Sequence, residues 1–263
     1  IEVNAGPGLR MHVAPSEGLG RPVGESIIEM LFPGGSTGRI PIVAVTGVNG
    51  KTTTTRLVAH ILKSTGFNTG MVCSDGIYID GRRIERGDCS GPRSARSVLL
   101  NPFVNAAVFE AARGGIIREG LGFDRCDVAV VTNIRGGDHL DLFDINTIEK
   151  LAAVKRTVVE SVSENGTAVL NAQDPLVADM VSSCKGSVLY FSSSDASPVV
   201  KEHCRTGGRA LFVRDSIIRF AEGGMERHFA RLDQIPLTYR GTIRFQVENA
   251  LAGIGAALSL GLP

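Results

Sequence analysis

The stretch Ile40-Pro41-Ile42-Val43-Ala44-Val45-Thr46-Gly47-Val48-Asn49-Gly50-Lys51-Thr52 decides the fold. Its apolar first half reads as a buried strand, and Thr53 to Ser64 beyond it reads as a helix. A strand that turns through glycines into a helix aims several backbone N–H groups at one point, where the helix dipole adds partial positive charge. Lys51 supplies a full charge for outer phosphates, and Thr52 supplies a hydroxyl suited to Mg²⁺. The spacing from Gly47 is G-x-x-G-K-T; the longer G-x-x-x-x-G-K-[ST] pattern would need glycine at position 45, which is Val45. The placement between strand and helix predicts a nucleoside triphosphate such as ATP over this loop, with a purely structural Gly-rich turn as the alternative.

Outward from the loop, strand and helix alternate. Apolar, β-rich runs lie at 41–46, 69–73, 105–109, 127–132, 167–170 and 187–191, and helical patterns at 53–64, 94–100, 146–164 and 175–183. Such alternation predicts an α/β fold of P-loop NTPase type, a mostly parallel sheet flanked by helices. Ligands of such sheets collect at the carboxyl ends of the strands, so the motifs after Val45, Val108 and Val131 are expected to converge on one edge. Residues 208–245 read as short strands forming an antiparallel β appendage, and 246–260 as a closing helix. Residues 1–35 have another character. A strand and turn lead to a short helix from Val23, and Pro33 to Gly38 is linker chemistry. The expected division is therefore 1–35 and 36–263, with both ends cut from a longer protein.

Composition narrows the class. With 43% hydrophobic and 21% charged residues, the 263-residue chain can bury a core. A net charge of +1 without a basic stripe argues against nucleic acid as a partner. No apolar run approaches a membrane span. Cys73, Cys89, Cys126, Cys184 and Cys204 are scattered and odd in number, which fits reduced thiols in the cytoplasm.

Several residues could carry chemistry. Glu110 ends the strand Val108-Phe109-Glu110, where a carboxylate can ligand a metal near the phosphate loop; a solvated acid is the alternative. Asn133-Ile134-Arg135-Gly136-Gly137-Asp138-His139-Leu140-Asp141 follows another strand and suits metal or acid/base work. Lys155 lies in a helical pattern between the surface charges Lys150 and Arg156, and residue type alone does not single it out. Asn171 ends a strand, with an amide able to donate to and accept from a base such as adenine. Asp174 before Pro175 reads as a helix N-cap.

In order, the loop, the strand-end glutamate, N-x-x-x-D-H-L-D, the helix lysine and Leu170-Asn171-Ala172-Gln173-Asp174-Pro175 resemble the Mur ligase family. These are ATP-dependent amide-bond-forming enzymes that include folylpolyglutamate synthetase. The resemblance covers roughly 39–263 and implies the family's central ATPase domain. It implies that Gly47, Val48, Asn49, Gly50, Lys51, Thr52 and Thr53 hold ATP, the amides of Val48 to Thr52 gripping phosphate. Asn171 and Asp174 would face the adenosine. Thr52 and Glu110 would bind one Mg²⁺, and His139 a second. Lys51, His139 and Lys155 would be catalytic, Lys155 matching a lysine that is carbamylated in several members. Glu2-Val3-Asn4-Ala5-Gly6-Pro7-Gly8, Met30-Leu31-Phe32-Pro33 and Glu110-Ala111-Ala112-Arg113-Gly114-Gly115-Ile116 resemble a branch of the family in which an ATP-grasp module precedes the Mur module. Residues 1–32 would close that module, Glu2 and Asn4 being its Mg²⁺ ligands. That branch implies arginine and an aspartyl polymer as substrates, arginine being joined to the aspartate β-carboxyl, and a homo-oligomeric full-length protein. Another Mur-type amino-acid ligase, a nucleotide-binding module without ligase activity and a P-loop kinase stay open. Val48 replaces the usual loop threonine, Gln173 stands where an acid is common, and of the usual H-N-x-x-N before the last helix only Asn249 is kept.

Overall fold

The computed structural model describes Gly6, residues 8–135 and residues 145–262. Glu2, Asn4, Asp138, His139 and Asp141 lie outside the described residues. The chain divides into two compact units, Ile1–Ile40 and Pro41–Pro263. The first holds two short helices, α1 (Arg10–Val13) and α2 (Val23–Leu31), with a backbone bond from Arg21 N to His12 O (2.7 Å).

The second unit is a three-layer α/β domain. Its elements are β1 (Ile42–Thr46), α3 (Lys51–Ser64), β2 (Thr69–Cys73), β3 (Gly76–Ile79), β4 (Arg82–Arg86), α4 (Pro92–Leu99) and β5 (Ala106–Glu110). They continue with α5 (Arg113–Glu119), β6 (Cys126–Val131), α6 (Ile148–Glu160), β7 (Val162–Asn171), α7 (Pro175–Ala178), β8 (Ser187–Ser192) and α8 (Pro198–Arg205). Strands β9 (Arg209–Arg214), β10 (Ile217–Glu222) and β11 (Met225–Arg231) precede the last helix, α9 (Arg244–Ser259). One sheet runs β11-β10-β9-β8-β7-β6-β1-β5-β2-β3-β4. From β2 through β9 the neighbours are parallel, and antiparallel pairs extend both edges.

Every residue of β1 and β5 is buried, because helices cover both faces of a parallel sheet. Val58 and Leu62 of α3 and Val247 and Leu251 of α9 pack with Val43, Val45, Val108 and Val130 on one face. Helices α4, α5 and α6 cover the other. A fully buried side chain such as Leu62 or Leu251 contributes about 1.5–3 kcal/mol of transfer free energy, which holds α3, and with it the phosphate loop, against the sheet.

Among the differences between the sequence reading and the structure, three concern the sheet. Residues 208–245 are no separate appendage: β9 joins the main sheet parallel to β8, and only β10 and β11 run antiparallel. The helix expected at 146–164 stops at Glu160, because Val162 already pairs with Cys126 in the sheet. The hairpin β3–β4 at the opposite edge was not foreseen. Asp80 and Gly81 connect its strands with φ of 48° and 78°, the two successive positive values that a tight primed hairpin turn demands.

Candidate active site

Strand β1 lies between β5 and β6, and the carboxyl ends of the three are tied together. Ala111 N donates to Val45 O (2.8 Å), Thr46 Oγ1 to Ala111 O (2.9 Å) and Thr132 N to Thr46 O (3.0 Å). The strand order reverses here, with β5 on one side of β1 and β6 on the other, and a crevice opens at such a point.

The loop Gly47–Gly50 is braced by the residues that follow β6. Val48 N donates to Asn133 O (2.8 Å) and Asn49 N to Asn133 Oδ1 (2.9 Å), while Asn133 Nδ2 and Thr132 Oγ1 both donate to Asn49 O (3.0 and 2.6 Å). Gly50 has φ +84°, and a Cβ there would lie 2.1 Å from Asn249 Oδ1. The turn into α3 therefore requires glycine on both counts. The first helical bond runs from Thr54 N to Gly50 O (2.9 Å). Among the described residues the N–H groups of Gly50, Lys51, Thr52 and Thr53 have no acceptor, and they form the open, partially positive end of a 14-residue helix. Of the amides expected to grip phosphate from Val48 to Thr52, those of Val48 and Asn49 are occupied by Asn133, and those of Gly50 to Thr52 stay open together with that of Thr53.

On one side of the loop is a cavity of about 310 Å³ lined by Lys51, Ser74, Asp88, Glu110, Arg113 and Lys155, among others. Glu110 is 3% exposed. Its Oε2 accepts from Thr52 Oγ1 (2.9 Å) and from Ser74 N (3.1 Å), and the Thr52 and Ser74 hydroxyl oxygens are 3.1 Å apart. One carboxylate and two hydroxyls around one point make a hard-oxygen set that fits Mg²⁺, which keeps several waters and takes few protein ligands. Among the described residues no three His, Cys, Asp or Glu side chains converge. Lys51 Nζ lies against Val48 O (2.9 Å); burial lowers its pKa, and Glu110 and Asp88 oppose the shift.

Lys155 is the least expected member. It is 3% exposed on α6, and its Nζ donates to Gly47 O at 2.6 Å. Burial, then the neighbouring Lys51 and Arg113 cations, lower its pKa from 10.5 to about 7, against the pull of Glu110. A large part of its amine is therefore neutral near pH 7.

On the other side of the loop a cavity of about 450 Å³ is lined by Asn49, Gly50, Thr53, Asn133, Phe191, Phe245, Glu248 and Asn249. Its aromatic walls suit a nucleobase, and Thr53 and Gly50 connect it to the helix end. Asn171 and Asp174 do not line it. Both are 3% exposed and bound to the protein itself. Asn171 Nδ2 donates to Thr132 O (2.8 Å), and its Oδ1 accepts from Gln173 N (2.9 Å). Asp174 Oδ2 accepts from Ile134 N (2.6 Å) and Arg135 N (2.8 Å), and its Oδ1 caps α7 at Leu176 N (3.1 Å). Through these bonds the two hold the segment whose Thr132 and Asn133 brace the phosphate loop. Asn133, read in the sequence as the start of a metal or acid/base segment, instead braces the phosphate loop, and Ser74 sits against Glu110. A polar residue directly after an apolar strand was the signal for both.

Fold and site together define an α/β phosphate-binding module with an acid, two lysines and a hard-oxygen cluster beside one helix end. A model of the Mur ligase middle domain matches residues 45–257, and the chain belongs to that family. It is 50% identical over 262 residues to the cyanophycin synthetase of Synechocystis sp., a match covering 100% of this chain and 30% of that protein. The chain thus spans about a third of the length of that relative. Among solved structures it resembles a UDP-N-acetylmuramoyl-L-alanyl-D-glutamate–2,6-diaminopimelate ligase, with a TM-score of 0.65 at 20% identity over 91% of this chain and 46% of the other. It also resembles a bifunctional folylpolyglutamate synthase/dihydrofolate synthase with Mn, AMPPNP and L-glutamate bound, with a TM-score of 0.55 at 17% identity over 86% and 55% of the two chains. Among the described residues no helix is long and apolar enough to cross a membrane.

Proposed function

We propose that this chain is the ATP-binding domain of an ATP-dependent carboxylate–amine ligase that works through an acyl phosphate. The observation that carries the reading is the single cavity in which Lys51, Glu110 and Lys155 meet beside the open N-terminus of α3. An acceptor carboxylate oxygen attacks the γ-phosphorus of ATP, the bond to the β-phosphate oxygen breaks, and ADP leaves. An amine nitrogen then attacks the acyl carbon, the bond to the phosphate oxygen breaks, and the nitrogen gives up a proton. Carboxylate and triphosphate repel each other. The N–H groups of Gly50 to Thr53 and the Lys51 ammonium offset that repulsion and hold the phosphates in line. Mg²⁺ held by Thr52, Ser74 and Glu110 supplies further neutralisation of the phosphate oxygens when bound.

Lys155 fits a second role. A buried amine beside Lys51 and Arg113 is disfavoured as a third cation and favoured as an anion, so its neutral form is disposed to take up CO₂ as a carbamate, releasing a proton. His139 is assigned to a second metal ion by resemblance.

By the same reasoning we assign arginine as the amine and the β-carboxyl of an aspartyl polymer as the acceptor, supported by the 50% identity to a protein named cyanophycin synthetase. Residues 1–35 are read as the tail of an ATP-grasp module, and the native protein as a cytoplasmic homo-oligomer. The test uses the full native polypeptide with ATP, arginine and aspartyl peptide. Amide, ADP and phosphate are expected in equal amounts, with a hydroxamate when hydroxylamine replaces arginine. Lys51→Ala is expected to abolish turnover and weaken nucleotide binding by about 2 kcal/mol, the contribution of one hydrogen bond to a charged group. A stably phosphorylated acceptor, or ligation undiminished in Lys51→Ala, would overturn the assignment.

A further inference from the structure

The metal-binding reading of Thr52, Ser74 and Glu110 leaves open what holds Ser74. It sits in the two-residue turn Ser74-Asp75 between β2 and β3, and a turn at a sheet edge has no packing of its own to fix a side chain to within an ångström. Two successive turns of α3 reach it. Thr52, in the first, has its hydroxyl 3.1 Å from Ser74 Oγ. Arg56, four residues on and therefore on the same helix face, bonds the next residue, Asp75, through Nη2 to Oδ2. The same guanidinium nitrogen donates to Tyr78 Oη (2.9 Å) and stacks its carbon 5.2 Å from the centre of that ring. Tyr78 Oη in turn donates to Asp75 Oδ2 (3.2 Å), and the thiol of buried Cys73 donates to the other oxygen, Oδ1 (2.7 Å). Asp75 therefore accepts from three side chains, on α3, β2 and β3, none of which belongs to the phosphate or metal set.

We propose that Arg56 and Asp75, with Tyr78, are positioning residues of the metal site. They lock the β2–β3 turn so that Ser74 presents its backbone N–H to Glu110 Oε2 and its hydroxyl beside that of Thr52. The argument is geometric, not energetic. Arg56 and Asp75 side chains are each 44% exposed, and an exposed ion pair adds little to global stability. What the network fixes is the orientation of a buried carboxylate, which depends on Ser74 N for one of its two described donors. Outer-shell partners of this kind typically change metal affinity by 10–100-fold when removed.

The experiment titrates MgCl₂ into the chain at a fixed, subsaturating concentration of a fluorescent ADP analogue and reads nucleotide binding, with a parallel titration of nucleotide in EDTA. Arg56→Ala and Asp75→Ala are each expected to raise the Mg²⁺ concentration at half-effect by about 10-fold. Affinity in EDTA should stay within about twofold, because the α3 amides and Lys51 are untouched. The double variant should be no worse than either single, the signature of two residues acting as one unit. Tyr78→Phe removes one hydroxyl without disturbing the fold and should shift the Mg²⁺ midpoint in the same direction by a smaller factor. A Mg²⁺ midpoint unchanged in all three single variants, or an equal loss with and without EDTA, overturns the positioning role. A wild-type chain whose nucleotide binding ignores Mg²⁺ overturns the metal site itself, a result distinct from failure of the clamp.

Discussion

Replacing Lys155 by methionine keeps an unbranched buried side chain one atom shorter and removes its titrating group. The drop from the ordinary 10.5 to about 7 corresponds to about 5 kcal/mol of unfavourable free energy for the buried cation. The sign follows from linkage. Below pH 7 both folded and unfolded chains carry the proton, and the penalty on the folded state is complete. Between pH 7 and 10.5 the unfolded chain keeps a proton the folded chain has lost, so stability rises with pH by up to about 1.4 kcal/mol per unit. Integrated from pH 7 to pH 8.5, wild type should gain on the order of 2 kcal/mol over Lys155→Met. The lost Nζ bond to Gly47 O adds an offset that does not vary with pH. Urea unfolding of both proteins in CO₂-free buffer at several pH values measures the difference directly, and ¹³C NMR of labelled lysine locates the midpoint. A flat difference across that interval would show that Lys155 keeps an ordinary pKa in the folded chain, and the carbamate argument would go with it.

Three other substitutions probe separate parts of the site. Glu110→Gln retains shape and loses charge, so Mg²⁺-dependent nucleotide binding should weaken by at least about 10-fold with the melting temperature nearly unchanged, as titration and calorimetry would show. Asp174→Ala strips the acceptor from the N–H groups of Ile134, Arg135 and Leu176, and should cost about 2–3 kcal/mol of stability in denaturant melts. If instead stability holds and only adenine-nucleotide affinity falls, Asp174 contacts the ligand after all. Gly50→Ala places a methyl on Asn249 at a backbone angle of +84°, and should lower stability by at least about 1 kcal/mol while displacing the N-terminus of α3. Normal melting with normal ADP binding would contradict the described turn.

The hairpin β3–β4 shows why part of the fold escaped the sequence reading. Asp80-Gly81 is a strong local hairpin signal, but the flanking runs are four and five residues long, and β4 is exposed throughout. Without a buried face, Arg82 to Arg86 shows no alternation to betray a strand. The β9 pairing escaped for another reason. A short strand carries no mark of whether its neighbour will run parallel or antiparallel, since that depends on the path of α8 between β8 and β9.

The sequence by itself determined whatever is local. The run into Gly47 and the lysine after Gly50 specify a strand, a glycine turn and a helix N-terminus, and Asp174-Pro175 specifies a helix cap; each rests on bonds within a few residues. Only the tertiary structure decided which strands flank β1, and so that Glu110 and Asn133, 59 and 82 positions beyond Lys51 in the numbering, reach the same loop. It also decided that Lys155 faces Gly47 from the underside of the sheet, that Asn171 and Asp174 turn inward, and that Ser74 joins the acid. Strand order and helix facing come from packing apolar faces against one another across the whole domain, and no short stretch of residues encodes them.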